Sequence, residues 1–183
     1  AMSMIGWGNG SCEGTDAMLA ILATVDPAKG LGASNWGRYS NPKLDEALAS
    51  YQKALALDPK FARAHANRGQ VLMRKDKVDE ALVSLRKSVE LAPKYAIFHL
   101  FLAEALARKG ATNEAIATYR KVIELDPNNA AAHSGLGSML ALLRGANDSL
   151  ASLKKAVELA PNSALAHWRL AYAMSSLNRL DEA

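Results

Sequence analysis

The four histidines are the residues of this chain best suited to bind a metal ion, and they recur at a fixed interval. His65, His99, His133 and His167 are each separated by 34 residues. On equivalent helices of stacked units, neighbouring rings would lie on the order of 10 Å apart or more, because packed helices are separated by about 8–10 Å. Two rings cannot then share a zinc ion, which needs its nitrogen ligands at about 2 Å. We therefore predict no metal site and expect the histidines to fill a position between helices.

The other polar residues do not form the pattern of an active site. No nucleophile recurs together with a general base and an orienting group. The glycines of Gly6–Gly10 do not spell a phosphate-binding loop, because a GxGxxG pattern needs glycine where Ser11 or Glu13 stands, and no GK[ST] sequence follows. We predict that the protein is not an enzyme and binds no cofactor.

Composition and charge argue against a membrane or a nucleic acid as partner. No stretch approaches the roughly 18 consecutive apolar residues that span a bilayer. The net charge of +4 is mild, and most lysines and arginines alternate with acids along predicted helix surfaces. We therefore expect no membrane partner and no nucleic-acid partner.

Cysteine content bears on the cellular compartment. Cys12 is the single cysteine, so no internal disulfide can form, which is consistent with a reducing compartment. Ala1-Met2 resembles a remnant of cloning, after which a signal peptide would already be absent. A cytoplasmic location is favoured and a periplasmic one stays open.

The elements that position all these residues repeat with a period of 34 residues. The anchors of this period are Asp45-Glu46-Ala47, Asp79-Glu80-Ala81, Asn113-Glu114-Ala115, Asn147-Asp148-Ser149 and Asp181-Glu182-Ala183, followed by Pro59, Pro93, Pro127 and Pro161. Acids in a first helical turn are favoured by the helix dipole, and proline blocks continuation of a helix. One structural unit is therefore repeated along most of the chain.

Each unit contains two amphipathic helices joined by a short turn. In the second complete unit, apolar stripes with helical spacing lie on both sides of Lys109-Gly110. The stripes are Phe98, Leu102 and Leu106, and then Ala115, Tyr119, Val122 and Ile123. With its Leu-x-Pro ends, this pattern resembles the tetratricopeptide repeat over about three quarters of the chain. The resemblance implies an all-α, right-handed superhelical solenoid that holds another polypeptide.

The period divides the chain into a non-repeat segment, residues 1–43, and a repeat array, residues 44–183. We predict a half repeat at 44–58, full repeats at 62–93, 96–127 and 130–161, and a half repeat at 164–183. The helix of the last half repeat is expected near 164–178, with Leu180–Ala183 opening another helix. We therefore interpret the chain as part of a longer array.

The segment 1–43 holds seven of the twelve glycines and lacks the 34-residue period. Asn41-Pro42 is expected to open the first helix of the array. Ile5-Gly6-Trp7-Gly8 and Asn35–Asp45 resemble part of a bacterial ABC-transporter solute-binding protein of the peptide-binding family. The resemblance covers about a quarter of the chain, too little for a two-lobed ligand cleft, and it suggests a natural or engineered fusion within a shared helix.

A short helix is also expected in this segment, at Ala17–Ala23. The helix at 44–58 lacks the first helix of its own unit. We predict that Asp16–Thr24 folds back against it and replaces that missing helix.

The concave face is the candidate binding site. The second, fifth, ninth, twelfth and thirteenth residues of each first helix share one stripe, which we call the groove stripe. The groove residues are predicted to be Arg63, Gln70, Met73, Arg74, Ile97, Leu100, Glu104, Arg108, Ser134, Ser138, Leu165, Trp168, Arg169 and Tyr172. Small residues around Ser134 and Ser138 form a floor between apolar sides, and arginines outnumber the single acid Glu104. The predicted partner is a peptide or helix with apolar anchors and acidic flanks.

The resemblance also implies what this groove lacks. Well-known members of the family grip the carboxylate of a chaperone tail with lysine and asparagine on this face. The fifth and ninth residues of the first helices here are Ala66 and Gln70, Leu100 and Glu104, Ser134 and Ser138, and Trp168 and Tyr172. We therefore do not transfer the chaperone role.

Other interpretations stay open at this point. The unfinished units at both ends allow self-assembly through those ends, and the segment 1–43 allows a remnant of a solute-binding protein. Further repeats would cover part of the groove stripe. Arg68 stands where later units have leucine, and we expect its stem to pack on the core with its charged head in solvent.

Overall fold

The computed structural model of the protein describes residues 41–143 and 146–181, without the side chains of residues 146 and 177–181. Eight α-helices and no strand lie in these ranges. In chain order they are α1 (Pro42–Leu57), α2 (Ala62–Arg74), α3 (Val78–Leu91), α4 (Ala96–Lys109), α5 (Thr112–Leu125), α6 (Ala130–Leu142), α7 (Ala146–Leu159) and α8 (Ala164–Asp181). The predicted all-α repeat solenoid is confirmed over these residues.

Turns separate the units at the four predicted prolines. Pro59, Pro93, Pro127 and Pro161 each begin a two-residue turn between the second helix of one unit and the first helix of the next. The pyrrolidine ring carries no backbone donor and clashes with the preceding helical turn, so the helix has to end. Pro42 begins α1, where a first helical position needs no donor.

The helices form an inner and an outer layer. Each helix packs against the next one along the chain, and α2, α4, α6 and α8 also contact one another in succession. The backbones of α1, α3, α5 and α7 do not approach one another in this way. The array therefore curves with α2, α4, α6 and α8, the inner helices, on its concave side and the other four, the outer helices, on its convex side.

Small residues on the inner helices let the two layers approach closely. A Cβ atom at Gly69 would lie 2.5 Å from Cγ of Leu85, and one at Gly137 would lie 2.6 Å from Cγ of Leu153. Leu85 and Leu153 are among the most deeply buried side chains. Both leucines therefore fill space that any side chain at the facing glycine would need, and this close approach fixes the inner helix against its outer partner.

The histidines close the turns between units. Nε2 of His65, His99, His133 and His167 lies 2.9–3.0 Å from the carbonyl oxygen of the proline six residues earlier. A carbonyl can only accept a hydrogen bond, so Nε2 carries the hydrogen. The four rings do not all fill a buried position between helices, as we had expected them to do. His99 alone of the four is buried, whereas all four bridge a turn.

Two further expectations are corrected. Helix α8 continues through Asp181, beyond the predicted end near residue 178. Asp181 therefore belongs to α8 and does not open another helix.

The guanidinium of Arg68 donates a 2.6 Å hydrogen bond from Nη1 to Oγ of Ser84, a buried hydroxyl of α3. Its charged head is thus hydrogen-bonded within the unit, and the residue is partly buried and not fully in solvent.

The segment 1–40 lies outside the described residues. The resemblance to a solute-binding protein, the proposed fusion and the folding-back of Asp16–Thr24 therefore stay predictions. The division of the chain at residue 43 also stays a prediction.

Candidate peptide-binding groove

The groove stripe lies along the inner helices, and its predicted residues differ in exposure. Two of them, Leu100 and Ser134, are buried. Four are partly buried, namely Gln70, Met73, Ser138 and Arg169. Eight are exposed, namely Arg63, Arg74, Ile97, Glu104, Arg108, Leu165, Trp168 and Tyr172. The exposed members are mainly arginines on α2 and α4 and large apolar side chains on α8.

Packing of the inner helices on one another explains the buried members. The fifth residue of each inner helix is Ala66, Leu100, Ser134 and Trp168, with 0%, 7%, 5% and 61% of its surface exposed. Successive inner helices are in contact, and Ser134 of α6 accepts a hydrogen bond from Arg169 of α8. Leu100 and Ser134 are therefore part of the packed interior beneath the groove and offer little surface to a ligand.

Helix α8 presents an aromatic surface. The rings of Trp168 and Tyr172 stack with their centroids 5.8 Å apart and an interplanar angle of 23°. Each is 61% exposed, and Leu165 on the same face is 54% exposed. Residues three and four apart share one helix face, so the three side chains form one continuous apolar patch.

Two arginines are held in place by hydrogen bonds between inner helices. Nη1 of Arg108 on α4 donates to the carbonyl oxygen of Met73 on α2 at 2.8 Å. Nη1 of Arg169 on α8 donates to Oγ of Ser134 on α6 at 2.8 Å. Arg169 therefore lies over the floor of the third unit, where we expected only small side chains.

Glu104 is the acidic residue of the groove stripe, and its surroundings act on the pKa of its carboxyl group in opposite directions. Partial burial raises the pKa of this carboxyl group, and the nearby Arg169 guanidinium lowers it. Burial likewise raises the pKa of Tyr119 to about 12, with the Glu104 charge adding to the rise and Arg169 opposing it. Glu104, Tyr119 and Arg169 therefore form one electrostatic cluster at the floor of the groove.

Tyr119 was not predicted as part of this site. It belongs to the outer helix α5 and is 4% exposed, but its ring reaches under α6 at Gly135. A Cβ atom at residue 135 would lie 2.4 Å from Cζ of Tyr119. Gly135 was the signal in the sequence that a neighbouring side chain comes close here. The equivalent residues of the other units, Asn67, Phe101 and Arg169, all carry side chains.

Ion pairs join the lysines at the ends of α2 and α4 to the preceding outer helices. Lys75 pairs with Asp45, and Nζ of Lys109 lies 2.6 Å from Oδ1 of Asp79. These lysines already face an acid of their own chain. The arginines of the stripe are therefore the better candidates for contact with an acidic ligand.

Among residues 41–143 and 146–181, no three histidine, cysteine, aspartate or glutamate side chains are grouped so that they could hold a metal ion. None of the helices in that part of the chain has the length and apolar character to cross a bilayer.

Family models of a known repeat match much of the repeat array. The family model described as "TPR repeat" matches residues 38–76 and 103–143. The one described as "Tetratricopeptide repeat" matches residues 62–95. Together they match more than half of the chain. No curated protein matches the sequence.

Solved structures share the fold at low sequence identity. The crystal structure of MamA aligns with a TM-score of 0.70 at 22% identity, over 78% of this chain and 84% of that chain. YrrB, described as a TPR protein with an unusual peptide-binding site, aligns with a TM-score of 0.65 at 24% identity, over 76% and 72%. The first TPR of Spaghetti (RPAP3), bound to the HSP90 peptide SRMEEVD, aligns with a TM-score of 0.62 at 20% identity, over 64% and 93%. Because the repeat period, the helix pairs and the family matches agree, the chain belongs to the tetratricopeptide repeat family.

Proposed function

We propose that the protein is a non-catalytic interaction scaffold that binds a peptide or helix of another protein in its concave groove. The observation that carries this proposal is the apolar patch of Leu165, Trp168 and Tyr172, each more than half exposed on the concave side. Large aromatic side chains dominate the binding energy of many protein interfaces. Water contact with such a patch is unfavourable, and a bound apolar side chain would remove it.

The charge of the groove selects the flanks of the ligand. Arg63, Arg74 and Arg108 are exposed along the stripe, where Glu104 is the one acidic residue among the predicted groove residues. Complementary charge on a partner speeds its association and fixes its register more than it adds affinity. A segment with apolar anchors and acidic flanks therefore fits this surface best.

Similar folds support a peptide as the class of ligand. The Spaghetti domain is bound to an HSP90 peptide, and YrrB has a peptide-binding site. The fifth and ninth residues of the inner helices here carry neither lysine nor asparagine. We accordingly propose recognition of an internal apolar and acidic segment and not of a free terminal carboxylate.

A selection from a displayed random peptide library, followed by fluorescence anisotropy with the selected peptides, tests this function. Trp168→Ala should weaken binding by about 30-fold or more, which corresponds to about 2 kcal/mol. Val83→Ala removes an apolar side chain that is 71% exposed on the outer helix α3, so this control should bind like the parent. Equal binding by the parent and the Trp168→Ala protein would contradict the proposed groove.

Self-association is a second candidate function. No residue of α1 is buried, and Leu165, Trp168, Tyr172 and Met174 of α8 are all more than half exposed. Both helices therefore offer apolar surface to a second copy of the chain. Sedimentation velocity at several concentrations tests this, because end-to-end association must increase with concentration. A constant monomer mass would contradict it.

A further inference from the structure

We infer that the groove has a basic half and a mainly apolar half, so that it accepts a partner segment in one arrangement only. Acidic residues of the partner lie against α2 and α4, and its apolar or aromatic residues lie against α6 and α8. The inference rests on the proposed function and adds to it the order of the two kinds of residue along the ligand.

The basic half is formed by the first two inner helices. Arg63 and Arg74 are exposed on α2, and Arg108 is exposed on α4 with one nitrogen held by the Met73 carbonyl. The acid of this half, Glu104, interacts electrostatically with Arg169 of α8. Its charge is therefore partly compensated from the other half, and the three arginines determine the sign of the surface.

The apolar half begins abruptly at the third inner helix. Helix α6 contains no aspartate, glutamate, lysine or arginine. Where α2 and α4 have Arg74 and Arg108 in the stripe, α6 has Leu142, which is 66% exposed. The next residue, Leu143, is 51% exposed and replaces the lysine that forms an ion pair in the first two units.

Helix α8 continues this apolar surface. Its stripe consists of Leu165, Trp168 and Tyr172 at the second, fifth and ninth positions. Arg169 is its one charged residue among the described side chains, and its Nη1 donates to Oγ of Ser134. A carboxylate placed against this half would lose water, and the partly buried Arg169 there already donates to Ser134, so this placement is costly. An aromatic side chain placed against the arginine half would leave Trp168 and Leu142 exposed.

The helix packing sets the spacing of the two ligand blocks. Successive inner helices are in direct contact, so each step along the groove is about 10 Å and the distance from α2 to α8 is about 30 Å. An extended peptide covers about 3.3 Å per residue. The centres of an acidic block against α2 and of an apolar block against α8 should therefore be about nine residues apart, with shorter spacing for contacts to α4 and α6.

Peptides selected from the random library serve as probes. The expected binders carry their acids towards one end and their apolar residues towards the other. For the tightest binder, a shuffled peptide of the same composition with alternating acids and apolar residues should bind at least about tenfold more weakly. A benzophenone photocrosslinker at the acidic end should label α2 or α4, and one at the apolar end should label α6 or α8.

Variants of the protein give an independent readout. Arg74→Ala with Arg108→Ala should weaken the tightest binder and reduce the salt dependence of its affinity, whereas Trp168→Ala should weaken it and leave the salt dependence unchanged. Arg120→Ala, an exposed arginine of the outer helix α5, is the matched control and should change neither. Circular dichroism of each variant should match the parent, because all of these side chains are surface groups.

The outcomes separate this inference from the proposed function. If peptides bind but the shuffled peptide binds equally well, or the two crosslinkers label the same helices, the division into halves is wrong while the binding function stands. If no peptide is selected at all, both the function and the division are wrong.

Discussion

Tyr119 shows how one side chain connects the core of a unit to the groove. Its ring is 4% exposed and occupies the space that a side chain at Gly135 would fill. Burial raises the pKa of this phenol to about 12, above the value of about 10 that an unfolded chain would show. The folded protein therefore holds the phenol proton more tightly than the unfolded chain does.

The free energy of unfolding should consequently fall as pH rises from about 10 to about 12, because the unfolded chain releases the proton first. The contribution is complete below about pH 10, and its loss across the window is on the order of 2–3 kcal/mol. Urea unfolding at a series of alkaline pH values measures this loss. Between about pH 10 and about pH 12, the free energy of unfolding of Tyr119→Phe should fall by less than that of the parent. Tyr172→Phe, at a position that is 61% exposed, should follow the parent. Identical pH dependence of the parent and Tyr119→Phe would refute this account.

Arg108 is a second residue whose single side chain should have a measurable effect, because its influence on binding depends on one charge. It is exposed in the groove stripe, and the Met73 carbonyl fixes its position. Arg108→Glu should slow association with an acidic selected peptide and flatten its salt dependence, because opposite charges steer the encounter. Stopped-flow fluorescence at low and physiological salt measures the rate. Arg120→Glu on α5 is the control, and an unchanged rate for Arg108→Glu at both salt concentrations would show that this charge does not act.

At the scale of helices, the histidine hydrogen bonds tie each inner helix to the turn before it. His99 and His167 make the same 2.9 Å contact to a proline carbonyl, but His99 is buried and His167 is exposed. A buried hydrogen bond is costly to lose, because the carbonyl is left without its partner. The four turns therefore should not contribute equally to stability.

His99→Ala should lower the free energy of unfolding by about 1–3 kcal/mol, and His167→Ala by less, because water can replace the lost partner at the exposed turn. Urea denaturation of the two variants measures both values under the same conditions. A loss for His167→Ala as large as that for His99→Ala would show that burial does not determine the strength of this contact.

The helices themselves could be predicted from the sequence, because their pattern is local. Each proline and each Asp-Glu-Ala-type anchor marks a helix end within a few residues, and helices α1 to α7 begin or end beside these residues. The end of α8 could not be placed correctly, since the period predicted a turn where no residue forces one. The contact of Arg68 with Ser84 was also missed, because it joins residues 16 apart across a pair of helices.

The candidate groove was predictable only in part, for the same physical reason. Helical spacing identifies the stripe, but exposure along it depends on packing between units, which buries Leu100 and Ser134 and leaves Trp168 exposed. Arg169 reaches Ser134, 35 residues away, and Tyr119 fills space left by a glycine in the following unit. Such contacts between units follow from packing in three dimensions and cannot be read from the pattern of one unit.

At the scale of the whole molecule, the backbones of successive inner helices lie close together and those of the outer helices do not, which gives the repeat array its curvature. The concave side then combines arginines on α2 and α4 with the aromatic patch on α8. The convex side carries exposed charged side chains such as Arg86 and Glu114, which form an ion pair at 2.9 Å between α3 and α5. The function that we propose therefore assigns ligand binding to one side of the molecule.

Backbone amide chemical shifts of the isotopically labelled protein, titrated with a selected peptide, test that assignment most directly. The account predicts that the largest changes fall on the groove stripe of α2, α4, α6 and α8, together with the indole N–H of Trp168. Outer-helix residues that face away from the groove, such as Val83 and Arg120, should change little. Changes centred on α3, α5 and α7 would contradict the concave groove as the binding site.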